Sequence, residues 1–234
     1  MTPEREQKLL SILQRRQPDL TLIAEQVHKP RNISALIRNC DAAGVAEVQV
    51  VRPKEGFQHY RGTALGSDRW VDMALHDTLD EAILAARAKG MAIYAAHFSD
   101  EALPYREVDY TRPCAIIMGA EKEGISPRAA ELADQHIIIP MQGVVSSLNV
   151  STAAGIILAE AVDQRLKAGL YDQSRMPPEW IARKMFESRH PKVAEFCRRR
   201  NLAYPEFDAV GEMLAPQAWN EQVTQGNAPT SSRD

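Results

Sequence analysis

The chain has 234 residues, of which 44% are hydrophobic and 25% charged, as is ordinary for a globular protein of one or two domains. No apolar run approaches the roughly 20 residues that span a bilayer, the N-terminus lacks a signal-peptide pattern, and three scattered cysteines favour neither disulfides nor a metal site, so we expect a cytoplasmic protein without a metal. The formal net charge of −3 disfavours nucleic acid as a partner, although basic residues concentrate between Arg165 and Arg200 and a local basic surface can bind phosphate.

Apolar periodicity and turn residues predict alternating helices and strands up to Gly169. In chain order these are a helix over Pro3–Arg16, a strand within Leu20–Val27, a helix that Asn32 caps and Gly44 ends, strands over Glu47–Val51 and Trp70–Leu75, a helix over Thr78–Ala88, strands over Met91–Ala96, Cys114–Met118 and Gln135–Pro140, and a helix over Leu148–Lys167. The polar segment Arg52–Asp68 predicts a loop. The run Ile137–Ile139 predicts burial on both faces of its strand.

This alternation is typical of an α/β fold, in which a parallel, doubly wound sheet carries helices on both faces. Ligands bind such sheets beyond the carboxyl ends of the strands, so we expect a site in the loops after Ala96, Met118 and Pro140. Beyond Gly169 the pattern changes: Pro177-Pro178 predicts a break, two short basic helices follow, and residues 225–234 are expected to be disordered. The sequence thus divides into an N-terminal helical extension (1–19), a sheet domain (20–168) and a basic helical extension with a flexible tail (169–234).

Residues 32–38, NISALIR, form the first of three segments suited to a site. Ser34 and Arg38 are four residues apart and share a helix face opposite the apolar stripe. Asn32 would lie at the helix start, where backbone N–H groups are free. The alternative is a capped surface helix with a solvated arginine, which by itself is the commoner arrangement.

Residues 118–125, MGAEKEGI, form the second segment and directly follow a buried type of strand. Glycines near both ends permit tight turning and close approach of the backbone to a ligand. Glu121 would be offered at the carboxyl end of the strand. The alternative is a plain strand-to-helix turn.

Residues 139–151, IPMQGVVSSLNVS, lead from an apolar strand through a Gly- and Ser-containing loop into a helix. Backbone donors and acceptors beside the apolar Met141 and Leu148 suit a flat, partly polar ligand such as adenine. The glycine spacing is neither that of a phosphate-binding loop nor that of a dinucleotide fingerprint, and without a G-x-S-x-G turn Ser147 is a poor hydrolase nucleophile. The alternative is a helix start capped by Ser147 or Asn149.

In this order the three segments resemble the motifs of the SPOUT superfamily of methyltransferases, and most closely its branch of tRNA guanosine-2′-O-methyltransferases. The third segment, P-M-x-G-x-x-x-S-L-N-V-S, is the most specific. The resemblance covers residues 20–165, and both terminal extensions are similar to those of the branch that methylates the tRNA D-loop. It implies methyl transfer from S-adenosylmethionine to the ribose 2′-hydroxyl of a guanosine in tRNA, at position 18, by a homodimer whose sheet domain ends in a deep trefoil knot.

The resemblance also implies roles for individual residues. The cofactor would be held at the ends of the knot strands by Ala96, His97, Phe98, Gly119, Ile139, Met141 and Leu148. The catalytic site would contain Arg38, Asn32, Glu121, Ser147 and Asn149. Arg38 would act at the reacting hydroxyl, either as a general base or by stabilising the developing alkoxide, since arginine rarely gives up its proton. Asn32 would orient Arg38 or the ribose, and Glu121 could instead pair with Arg38.

Basic and imidazole side chains near both ends of the sheet domain are the candidates for RNA contacts. They are Arg15, Arg16, His28, Arg31, Arg165, Lys167 and Arg175. A solvated helix face is the alternative for the basic run. The competing functions are methylation of ribosomal RNA or of another tRNA position, a non-catalytic RNA-binding protein with the same fold, and a methyltransferase that acts on small molecules.

Overall fold

The computed structural model describes residues 1–53, 67–120 and 123–231. They form two compact units, one of residues 16–174 and one that joins residues 1–15 to the chain from Arg175 onward. The loop predicted over Arg52–Asp68 lies largely outside the described residues. Within the described ranges, no helix is both long and apolar enough to cross a membrane.

The larger unit is built on a seven-stranded sheet. Its strands are β1 (Leu20–Ala24), β2 (Glu47–Val51), β3 (Asp72–His76), β4 (Ala92–Ala96), β5 (Leu103–Pro104), β6 (Cys114–Met118) and β7 (Gln135–Ile138). Their order across the sheet is β3-β2-β1-β6-β4-β7-β5, and every neighbouring pair is parallel. The predicted parallel sheet is therefore confirmed.

Helices cover both faces of the sheet. The helices of the described chain are α1 (Pro3–Gln14), α2 (Pro30–Ala42), α3 (Leu79–Ala88), α4 (Pro127–Leu132), α5 (Val150–Lys167), α6 (Pro178–Arg189), α7 (Pro191–Arg200) and α8 (Pro216–Thr224). Side chains alternate between the faces of a strand, so Leu20, Leu22 and Ala24 of β1 pack in one core with α2 and α5, whereas Ile23 packs in the other with α3 and α4. The predicted α/β class is confirmed.

Local sequence signals explain where these helices begin, although the signal for α2 was assigned to the wrong residue. Thr78 and Glu81 form a reciprocal capping box at the start of α3, and the Asn149 side chain caps α5 by accepting from the Ser151 N–H. The prediction that Asn32 caps α2 is wrong. Pro30, whose ring suits the first helical position, starts the helix two residues earlier and leaves Asn32 inside the first turn.

The predicted burial of the isoleucine run on both faces of its strand is also wrong. Ile137 is 1% exposed, but Ile138 and Ile139 are only partly buried. The reason is that these residues line an open cavity at the end of β7.

The smaller unit contains α1, α6, α7 and α8, and its core is aromatic. Phe186 of α6 is fully buried, with its ring stacked on Phe207 at 4.7 Å between centroids and 4.9 Å from Tyr204. Arg189 forms an ion pair with Glu6 of α1. Helices α6 and α7 confirm the two short basic helices predicted after Pro177.

The predicted disorder of residues 225–234 is wrong for the part that the structure describes. The N–H of Ala203 donates to the Pro229 carbonyl at 2.8 Å, and the N–H of Ser231 donates to the Asn201 carbonyl at 2.9 Å. Residues 232–234 lie outside the described chain. The tail is thus held by backbone pairing, which its polar composition did not predict.

Candidate active site

A cavity of about 250 Å³ opens at the carboxyl ends of β4, β6 and β7. Its lining includes all of the residues that the resemblance assigned to the cofactor, which are Ala96, His97, Phe98, Gly119, Ile139, Met141 and Leu148. Ser147 also lines it. The loops expected after Ala96, Met118 and Pro140 therefore meet around one space.

The order of strands explains why these loops converge. Along the chain the strands run β4, β6, β7, but in the sheet β4 lies between β6 and β7. All three are parallel, so their carboxyl ends share one edge. The loops that leave this edge then form neighbouring walls of the cavity.

One wall is a backbone turn that folds tightly on itself. The Gly124 N–H donates to the Ala120 carbonyl at 2.9 Å, and Gly124 has φ +69°, a conformation that favours glycine. A Cβ on Gly119 would lie 2.1 Å from the carbonyl carbon of Gly124. Because the near atoms belong to the backbone, only glycine fits at position 119.

The opposite wall offers backbone donors. The N–H groups of the lining residues Met141, Ser146, Ser147 and Leu148 donate to no other described residue, and Met141 and Leu148 also contribute apolar side chains. Helix α5 adds Val150, Ala153 and Ile157. Sequence reasoning missed this last trio, although their i, i+3, i+7 spacing on one predicted helix would have indicated a shared face.

Two amide contacts join α2 to the start of α5. The Asn149 Nδ2 donates to the Asn32 Oδ1 at 3.3 Å, and Asn32 is 8% exposed. Seven residues further on, the Asn39 Nδ2 donates to the Ser151 carbonyl at 2.6 Å. Two of the predicted catalytic residues are thus in contact, and Asn39 is a second link that the sequence reasoning did not find.

The remaining polar residues of the three segments differ in exposure and in their contacts. Arg38 is exposed, and its guanidinium has no hydrogen-bond or ion-pair partner among the described residues. Ser34, one turn earlier, is buried and donates to the Pro30 carbonyl at 2.9 Å. Ser147 is exposed. Glu121 lies outside the described residues.

His97 is the titratable side chain among the described residues that line the cavity. Its ring is 5.2 Å from that of His136, edge to face. Partial burial, and then electrostatic repulsion from the neighbouring His136 ring, lower the pKa of His97 below its ordinary value of 6.5. The Ser99 hydroxyl lies 2.8 Å from the His136 Nδ1. His97 is therefore neutral at pH 7.

Two residues predicted to contact RNA are structural instead. Arg16 is 2% exposed, forms an ion pair with Asp41 and donates to the Val45 carbonyl at 3.1 Å. Arg165 is 0% exposed and forms an ion pair with Asp19 at 2.7 Å. Buried guanidiniums that are already paired cannot reach phosphate, so both predictions are wrong.

The remaining RNA candidates are exposed. They are Arg15, His28, Arg31, Lys167 and Arg175. The basic run is less uniform than its sequence indicates, because Arg183 and Arg198 both lie within ion-pair distance of Glu187 and Lys184 is 2% exposed. No group of three or more potential metal ligands occurs among the described residues.

The fold is that of an α/β protein with a cavity beyond the carboxyl ends of adjacent parallel strands, which is where proteins of this class bind their ligands. The sequence profile of the SpoU rRNA Methylase family matches residues 19–159, and that of the SpoU, rRNA methylase, C-terminal family matches residues 163–216. This chain belongs to the SpoU methylase family. The match confirms the relationship that the three sequence segments indicated.

Individual proteins of known name or structure are similar to between 64% and 94% of this chain. The tRNA (guanosine(18)-2′-O)-methyltransferase of Escherichia coli strain K12 is 46% identical over 221 residues, which cover 94% of this chain and 96% of that protein. A crystal structure of the Aquifex aeolicus TrmH/SpoU tRNA modifying enzyme superposes with a TM-score of 0.74 at 37% identity, covering 81% of this chain and 97% of the other. The SpoU methyltransferase AviRb from Streptomyces viridochromogenes, solved in complex with the cofactor AdoMet, has a TM-score of 0.57 and 27% identity and covers 64% and 62% of the two chains.

Proposed function

We propose that this protein transfers a methyl group from S-adenosylmethionine to the ribose 2′-hydroxyl of a guanosine in tRNA, at position 18. The observation that carries this proposal is the cavity, into which the structure brings the residues expected to hold the cofactor from three separate strand ends. The name of the 46% identical Escherichia coli relative supports the substrate and the position.

The chemistry of the cavity suits S-adenosylmethionine. Its lining is mostly apolar, with Ile137, Ile139, Met141 and Leu148 available to flank an adenine ring. The N–H groups of Met141, Ser146, Ser147 and Leu148, which donate to no other described residue, are available to the polar edge of that ring. Neutral His97 adds no repulsion to a cationic ligand. When bound, S-adenosylmethionine supplies a methyl group that its sulfonium already activates.

The protein has two tasks, to place the 2′-hydroxyl and to help remove its proton. We assign the second task to Arg38, whose exposed guanidinium can meet a polynucleotide and stabilise the negative charge that develops on the oxygen while water accepts the proton. We assign orientation of the ribose to the Asn32–Asn149 pair, which is held at the junction of α2 and α5. Ser147 and Glu121 complete the proposed polar site.

We place RNA contacts at the exposed members of the original set, Arg15, His28, Arg31, Lys167 and Arg175. Arginine and lysine bind phosphate through charge and release counterions as they do so. The family resemblance further supports a trefoil knot in the C-terminal part of the sheet domain, a homodimer and a cytoplasmic location. Light scattering during gel filtration tests the homodimer directly.

The test is methyl transfer from labelled S-adenosylmethionine to unmodified tRNA, with the methylated nucleoside identified and mapped. We expect 2′-O-methylguanosine at position 18. Arg38→Ala is expected to lower kcat by about 100-fold or more, as removal of a group that stabilises an oxyanion does, with cofactor binding retained. Arg112→Ala is the matched control, because Arg112 is 81% exposed and precedes the amino end of β6, away from the cavity.

A second substrate is favoured by one observation, the rRNA methylase description of the matched family. Ribosomal RNA transcripts are therefore tested as methyl acceptors in the same assay as tRNA. If only ribosomal RNA is labelled, the proposed methyl transfer stands but tRNA is rejected as the substrate. Cofactor binding without methylation of either RNA would reject the enzymatic function and favour a non-catalytic RNA-binding protein.

A further inference from the structure

Glu25 is a buried acid that no part of the proposed function uses. It directly follows β1 and is 4% exposed. No described basic residue forms an ion pair with it. A buried carboxylate without a cation is costly unless hydrogen-bond donors satisfy it, so its partners indicate what it does.

Both carboxylate oxygens of Glu25 accept from one residue, Ser126. The Ser126 N–H donates to Oε2 at 2.9 Å and the Ser126 hydroxyl donates to Oε1 at 2.5 Å. The backbone N–H of Glu25 donates to the Met118 carbonyl at 2.9 Å. Glu25 is thus bonded to both ends of the segment that runs from the end of β6 to the start of α4.

That segment forms the tightly folded wall of the cavity. Three residues of this segment, Gly119, Ala120 and Gly124, line the cavity. Gly119 packs so closely against the Gly124 backbone that no side chain fits at position 119. Glu25 lines no part of the cavity. It therefore makes no direct contact with a ligand there, and its bonds to this segment allow it to act by fixing the shape of the wall.

We infer that Glu25 is a positioning residue for S-adenosylmethionine, acting through Ser126 to hold the wall formed by Gly119, Ala120 and Gly124. This inference rests on the proposed function, since it takes the cavity to be the cofactor site. The structural alternative is that Glu25 and Ser126 merely start α4, because the Ser126 Oγ also accepts from the Ala129 N–H at 3.0 Å.

Calorimetric titration of the full-length protein with S-adenosylmethionine distinguishes the positioning role from a role in starting α4 alone. Glu25→Gln replaces one acceptor oxygen by a donor and leaves one Ser126 donor unmet, and Ser126→Ala removes the hydroxyl. Each is expected to raise the Kd about tenfold, the factor that corresponds to about 1.4 kcal/mol. Ser126→Thr keeps the hydroxyl and is expected to restore binding. In turnover assays the KM for S-adenosylmethionine is expected to rise more than kcat falls.

Thr78→Ala is the matched control for a lost helix cap. Thr78 caps α3 by accepting from the Glu81 N–H at 3.2 Å, and it lines no part of the cavity. This variant is expected to lower Tm but to leave the Kd unchanged.

The inference is overturned if Ser126→Ala, or folded Glu25→Gln, binds S-adenosylmethionine within twofold of the wild type. If Glu25→Gln does not fold, the Ser126→Ala and Ser126→Thr pair decides. Wild-type protein that binds no S-adenosylmethionine would overturn the proposed function, and this inference with it.

Discussion

Replacing Arg165 by alanine is expected to destabilise the fold without removing an RNA contact. The Arg165 guanidinium makes five hydrogen bonds, at 2.7–3.2 Å, to the Gln17 and Asp19 side chains and to the carbonyls of Tyr110, Asp19 and Arg112. These partners come from the chain before β1 and from the chain before β6. Arg165 therefore ties α5 to the amino ends of two central strands.

The magnitude follows from burial. Removal of one partner from a buried ion pair costs about 3–5 kcal/mol, because the remaining charge loses its compensation. Total stability is typically about 5–15 kcal/mol, so the variant loses a large fraction of it. With a urea m-value of about 3 kcal/mol/M, the unfolding midpoint is expected to fall by about 1 M or more. Arg165→Lys keeps the charge but not the five-donor geometry, and its loss of stability is expected to be smaller than that of Arg165→Ala.

Urea unfolding followed by circular dichroism, at one fixed protein concentration, measures this loss. Lys167→Ala is the matched control: Lys167 is 74% exposed and, among the described residues, pairs only with Asp163 on the same helix, so its loss is expected to cost less than about 1 kcal/mol. Lys167→Ala is instead expected to reduce the slope of log affinity for tRNA against log salt by about one. An Arg165→Ala protein of wild-type stability that has lost tRNA affinity would refute the reasoning.

Two further predictions concern the cavity. Gly119→Ala is expected to weaken S-adenosylmethionine binding more than tenfold in calorimetry, because the added Cβ would lie 2.1 Å from the Gly124 backbone. Gly143→Ala is the control, because a Cβ on Gly143 meets nothing within 4 Å. Its binding of S-adenosylmethionine is expected to be unchanged. S-adenosylmethionine binding is expected to weaken as the pH falls through the lowered pKa of His97, since protonation of that ring adds positive charge to a cavity that holds a cationic ligand. His97→Asn is expected to abolish that dependence, and a pH profile identical to that of the wild type would contradict the assignment.

The sequence predicted most accurately the elements with strong local signals. The bounds of β6 match the predicted Cys114–Met118 because an unbroken apolar run is fully buried between two helical layers. Helix α3 was predicted within a residue because Thr78 and Glu81 mark its start. By contrast, β5 has two residues and α4 has six, which is too short for any periodicity, and both were missed.

The cavity could be predicted only in part. Its residues were expected from the resemblance of three segments to known motifs, and its place at the strand ends follows from the parallel sheet. Neither argument contains the strand order, because nothing local in β4 shows that it pairs with both β6 and β7. Glu25 was missed for the same reason: its partner Ser126 is 101 residues away in the chain.

The RNA candidates show how a charged run can mislead and what would have corrected it. Arg165 was chosen because it begins a basic stretch, yet it follows the buried Ala154, Leu158 and Ala161 of α5 at distances of eleven, seven and four residues. Those distances place it on the buried face of the helix. Lys167, two residues later, lies on a different face of the helix and is exposed. The face on which a basic residue lies therefore has to be worked out before its charge is assigned to RNA, and in this chain that step separates an ion pair inside the fold from a side chain that phosphate can reach.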